Sequence, residues 1–341
     1  MCNPETLFDS FWQISYTYGD VIATLAMIET STNDTNGMNT AQRPVVVADS
    51  KDQIQDQTRD TELQRPRQVA ITSKLRTAIK HLRQVAGPLS PFRGFHIAII
   101  YHALHNLVLN FAVSPQSASL IRALISILVT VVLHRIHMVW THTVISMPAN
   151  KSWWKRILPF KLSKTIILPT AIWAAAQQIC LYFPRTLFAA TYQNIHQPRL
   201  QDSGPSTVQK VALIQSIAIL AIFIITIFLI VIPAEVSLKR VEASLLPETD
   251  QTIVPFDRSF AGKAQPNALG GPALISVLDA WRTFGKEGRI RLVKLYGKVF
   301  AIQVALAILF TMIIAGELRV LSGHSFSTLI EAARSSLKVD L

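Results

Sequence analysis

The stretch VIPAEVSLKRVEASLLPE, residues 231–248, follows directly on a long uncharged apolar run. Pro233 stands where a membrane helix would meet its first charges, with Glu235 just after it and the pair Lys239-Arg240 beyond. Proline has no N–H to donate, and its ring crowds the carbonyl one turn back, so inside a helix it bends the axis. The pattern predicts a spanning helix that bends inward near one membrane face, with the following charges holding the loop on that side.

The rest of the chain supports a membrane reading. Half of the 341 residues are apolar and 16% are charged, against about 25% charged in an ordinary soluble domain. Apolar runs fall at 94–113, 118–147, 165–184, 211–232 and 299–315. About 20 helical residues cross the hydrocarbon core, so four runs are long enough and the last is marginal. Between 31 and 66 the chain is rich in Thr, Asn, Asp and Gln, a composition that buries too little apolar surface to order itself, and a disordered loop is expected there.

The formal charge of +12 is unevenly distributed. With strictly alternating spans, one side collects residues 31–93, 148–164 and 233–298 and holds 25 of the 33 lysines and arginines. That asymmetry is what orientation by basic loops produces. It points to the lipid bilayer as the partner of the charge; no nucleic-acid motif accompanies it. No basic-then-apolar leader opens the chain, and Cys2 and Cys180 suggest no structural disulfide.

Two basic loops carry amphipathic helical patterns. Leu75, Ile79, Leu82 and Val85 share one face, as do Leu274, Val277, Leu278, Trp281 and Phe284. Both are expected to lie in the membrane interface, the alternative being helices packed on other loops. An internal repeat links the halves: ISMPANKSWWKR at 145–156 matches IVIPAEVSLKR at 230–240, each a span ending in Pro-Ala with a basic pair shortly after. TYGDVIATLAM at 17–27 reads as a third copy without its proline. The expected organisation is a first repeat at 1–113, a second at 114–184, a third at 208–315 and a tail at 316–341.

PAEVSLKRVEAS, followed by an amphipathic helix and KEGRIRLVKLYGK, resembles the mitochondrial carrier family. Glu287-Gly288, Tyr296-Gly297-Lys298, Arg93-Gly94 and Gly19-Asp20-Val21-Ile22 correspond in order to elements of that family's repeats. The resemblance implies an all-α membrane protein: a six-helix, threefold pseudosymmetric carrier-like bundle with amphipathic interface helices. It also implies a gate after the prolines, which places Asp20, Pro148, Pro233, Glu235 and Arg240 at helix kinks or gate positions. The sequence departs from the family there. The acid position of the middle copy is Asn150, and the base positions fall on Ala23, Trp153 and Leu238, so the family's ring of salt bridges cannot form.

The even-numbered spans of such a bundle carry polar residues at comparable depth: Tyr101, His102, His105 and Asn106, then Gln177 and Gln178, then Gln303. They are the candidates for a central solute site, with helix-to-helix hydrogen bonding the alternative for each glutamine. Two HxxH pairs, His102 with His105 and His134 with His137, could each present imidazoles on one face to a metal or haem. The spacings of histidine-rich membrane oxygenases are absent, and neither metal nor cofactor is expected. There is no Walker loop and no GxSxG. Three functions stay open: a carrier of a small-molecule solute, which leads; a carrier-like outer mitochondrial membrane protein that no longer transports; and a histidine-dependent membrane enzyme.

Overall fold

The computed structural model describes residues 13–30, 70–114, 118–149, 152–191, 205–265 and 274–322. They are mostly helical and, among the described residues, form no strand beyond two isolated bridges, Ser146 to Thr252 and Gln265 to Leu274. The loop at 31–66 and Asn150 lie outside the described residues.

Helix α1 begins as a π-helix, Ser15–Ile22, and continues as Ala23–Ile28. An amphipathic helix, α2 (Leu75–Ala86), precedes α3 (Phe95–Ala112). Helices α4 (Ser119–Val132) and α5 (His134–Ile145) meet at a 59° bend, and α6 is Ile167–Thr191. Helix α7 (Pro205–Thr226) passes through a π turn, Ile227–Val231, into α8 (Ile232–Ser244). The short α9 (Val277–Arg282) leads to α10 (Lys286–Ser322). All five apolar runs expected from sequence fall on these helices. Four stretches are long and apolar enough to cross a membrane, or five if the bent α4–α5 pair is one span. The last run, marginal by itself, is part of the 37-residue α10.

Packing is concentrated at one end. The ends of α1, α5 and α8 touch one another, α10 packs along α1, α3 lies on α4 and α5, and α6 lies on α4, α7 and α8. Val21 and Ile22 of α1, Ile97 of α3, Ile145 of α5, Val236 of α8 and Leu292 of α10 are wholly or almost wholly buried in the resulting core. The far halves of the same helices are bare: Phe111 is 91% exposed and Met312 68%. Apolar surface on this scale is unfavourable in water, and burial in a bilayer removes the cost.

Arginines complete the packed end. The last carbonyls of a helix have no partner within it, and buried ones must find donors. Arg240 donates to the carbonyl of Met27 at 3.1 Å, and Arg291 to those of Ala26 and Glu29 at 3.2 and 3.1 Å, closing the end of α1. Arg93, before α3, donates to the carbonyls of Thr143 and Ser146 at 2.9 and 2.6 Å, closing α5. Arg258 serves Leu246 and Pro247 beyond α8. Each cation also meets the negative end of a helix dipole.

Several expectations are corrected here. Pro148 makes no kink, because α5 ends at Ile145 and Met147 already bonds outward to the carbonyl of Gln251; the bend in that span falls at Leu133 instead. Pro233 leaves its helix continuous as one span, Leu213–Ser244, because the π turn just before it absorbs the missing donor. The charges beyond Pro233 do not mark the start of a loop: α8 continues through them and buries Lys239, Arg240 and Glu242. The amphipathic helices turn their apolar faces to the protein itself. Leu82 of α2 is buried with Leu75, Ile79 and Val85 packed around the same core, and Trp281 and Phe284 join it from α9 and its end, leaving Leu278 outward.

Candidate functional site

Where the packed end gives way to the bare half, the inner helices carry a cluster of rings. Tyr101 of α3 is buried, with ring centroids of His102, His137 and Trp140 at 5.2, 5.5 and 6.2 Å. His137 lies between the indoles of Trp140 and Trp173 at 5.6 and 4.9 Å. Trp140 donates to the hydroxyl of Tyr16 at 3.2 Å, and Tyr16 donates to the carbonyl of Arg93 at 2.5 Å. One face of α5 thereby fixes side chains of α1, α3 and α6.

Beneath the rings is a buried polar network between α5 and α8. Glu242 is fully buried; its carboxylate accepts from His137 Nδ1 and from the Thr141 hydroxyl, both at 2.6 Å. Lys239 donates to Thr141 at 3.0 Å, stands 3.4 Å from His137 Nε2, and lies over the Trp140 ring at 4.9 Å. His142 bonds the backbone carbonyl of Glu242 at 2.7 Å. Buried charges persist only when paired and hydrogen-bonded, and here one ammonium and one carboxylate compensate each other through a histidine and a threonine. Asp20 lies in the π turn of α1, and Glu235 stands one turn before Lys239 on α8.

Glu235 accepts from the Tyr296 hydroxyl at 3.1 Å. Arg240 turns away from it, to Met27 and to the Thr283 hydroxyl, stacked against Phe260 and Phe284. It closes a helix end and borders a cavity of about 190 Å³ with Glu29, Asp257 and Arg291. Of the expected gate base positions, Ala23 and Leu238 are fully buried in apolar core and Trp153 is partly buried.

The sequence-derived solute site is brought together in part. His105 lies 3.4 Å from the Ser126 hydroxyl and 3.2 Å from that of Thr130, and Gln178 donates to Ser126 at 3.1 Å. That chain of contacts joins α3, α4 and α6 beside Tyr101 and His102. Asn106 and Gln177 are exposed. Gln303 belongs elsewhere: it donates to the Ser15 hydroxyl at 2.9 Å on the seam between α10 and α1. The HxxH pairs do not converge, and among the described residues no three His, Cys, Asp or Glu side chains gather as a metal site would need. Lys239, Glu242, Trp140 and Trp173 were missed from sequence. The available signal was Lys239 and Glu242 on one helical face, three residues apart.

Compared with known proteins, the chain matches no family model, no curated protein and no solved structure.

Proposed function

We propose that this chain is a carrier-like protein of a mitochondrial membrane that moves a small polar solute by alternating access. On this reading α1, α3, α4–α5, α6, α7–α8 and α10 are the six helices of one threefold bundle, closed at the end bearing the basic loops. The observation that carries it is the mutual contact of the ends of α1, α5 and α8, with the polar ring cluster at the boundary where that packing stops. The packing of α10 along α1 supports this arrangement. Arg93 before α3 caps α5 and Arg291 of α10 caps α1, so the start of an even helix seals the end of the next odd one twice over.

Transport assays in vesicles test the reading. Purified protein should take up at least one solute from a panel of organic anions, amino acids and nucleotides, saturably, and His102→Ala with His105→Ala should reduce that uptake at least tenfold. A second reading is favoured by one observation: the gate positions Ala23 and Leu238 are sealed in apolar core, as in a carrier that has stopped opening. Absence of uptake and residence in the outer membrane on subfractionation would select that reading.

A further inference from the structure

His137 is the only link in the buried network whose two ring nitrogens face opposite charges. Nδ1 lies 2.6 Å from the Glu242 carboxylate, and Nε2 lies 3.4 Å from the Lys239 ammonium. A carboxylate requires a donor, so Nδ1 carries the proton; an ammonium has only protons to offer, so Nε2 presents its lone pair. The imidazole is thus neutral in this closed arrangement, and Lys239 occupies the place a second proton would take.

Lys239 has somewhere else to go. It lies between α5 and α8, where water admitted on opening would hydrate its ammonium. We propose that His137 is a proton-binding site coupled to the opening of the packed end. The inference rests on the alternating-access reading. When α1, α5 and α8 part, Lys239 turns from His137 to water. Nε2 of His137 then takes a proton from the water admitted, forming an N–H bond, and the imidazolium's charge is met by Glu242. Closing returns Lys239, breaks that N–H bond and releases the proton to water. The cycle binds and releases one proton and needs no other reactant.

The groups that face His137 fit a single-proton site. Tyr101 and His102 approach from α3, and α6 contributes only the uncharged Trp173. On α5 itself His134 bonds the carbonyl of Val131 and His142 that of Glu242, so neither faces the Lys239 gap. Arg156 donates to the Ser146 hydroxyl further along, and Tyr296 of α10 is bonded to Glu235.

The test reads opening directly. In a chain with Cys2 and Cys180 changed to Ser, a cysteine replaces Val236, which is wholly buried in the closed end. Its maleimide labelling in lipid nanodiscs is followed between pH 6 and 8 and divided by that of a cysteine at exposed Lys263, which cancels the pH dependence of the thiol. The ratio should rise as pH falls, by at most about tenfold per pH unit for one linked proton, and His137→Gln should flatten it. Glu242→Gln, which keeps the side chain's shape but removes the charge that compensates both Lys239 and the imidazolium, should raise the ratio at pH 8 and move its pH-dependent rise to lower pH, and decides the matter if His137→Gln does not fold. A flat ratio in the parent chain, or a slope unchanged in both variants, overturns the inference and leaves alternating access intact. If position 236 is never labelled at any pH while position 263 is, alternating access fails and the inference with it.

Discussion

The indole of Trp140 fills the space a side chain at Gly94 would need: a Cβ built there would lie 2.9 Å from Trp140 Cδ1. Gly94 also has φ of +74°, in the left-handed region, where it caps the start of α3. Gly94→Ala therefore meets two penalties, about 1–2 kcal/mol for the backbone and the displacement of the indole that orders Tyr16, Tyr101 and His137. Thermal unfolding of the detergent-solubilised protein should show a clear drop in Tm. Gly297→Ala is the contrast. It sits inside α10 with nothing within 4 Å of the added carbon, and replacing a helical glycine should stabilise by about 0.5–1 kcal/mol. Equal effects at the two positions would contradict this account.

Glu242→Ala should be among the most damaging single changes. It strips His137 and Thr141 of their acceptor and leaves Lys239 as a buried charge without its counter-ion, a loss of about 3–5 kcal/mol for a broken buried pair. Removing Lys239 as well, by Lys239→Met, should restore part of the loss, because no net charge then remains in the network. A double-mutant cycle on unfolding free energies measures the coupling. Strict additivity would mean the two charges do not sense each other.

Much of the architecture was legible in the sequence because hydropathy and length act locally. Each apolar run became a helix, and the pattern of Leu75, Ile79, Leu82 and Val85 became α2. What those faces touch was not legible, since amphipathicity has no knowledge of its partner: α2 covers protein core where lipid was expected. The charges after Pro233 were misplaced for a related reason. Lys239, Arg240 and Glu242 look like a membrane-face loop, yet each is met by a group from a distant segment: Thr141, Met27 and His137. Pairing across 98 residues or more leaves no trace in local pattern. For the solute site, Tyr101, His105 and Gln178 came together because their depths along neighbouring helices matched, whereas Gln303, at a similar depth, faces the other seam.

Topology is checked by labelling from the two sides of a sealed vesicle. Single cysteines at exposed Lys161 and Lys263, in the basic connections, should react from one side, and a cysteine at exposed Ser114, between α3 and α4, from the other. Reaction of positions 114 and 161 from the same face would break the alternation on which the six-helix arrangement depends.

On the carrier-like reading the gate base position falls on Leu238, so Leu238→Lys would restore the family pattern on paper. The structure predicts the opposite of a repaired gate. Leu238 is fully buried beside Met138, Ile166 and Trp173 in an apolar cluster. A lysine there would lose its hydration among apolar side chains, and burial of an unpaired charge is too costly to persist in place. Ala23→Lys faces the same difficulty, since Ala23 is wholly enclosed by the other core cluster. Both variants should unfold at lower temperature than the parent and open the packed end, raising the labelling of a cysteine at Val236. Had these positions been latent gate bases, the charges would tighten the closed state and that labelling would fall. Thermal unfolding and cysteine reactivity, measured on the same preparations, therefore separate positions that only fill the core from positions that would serve a gate.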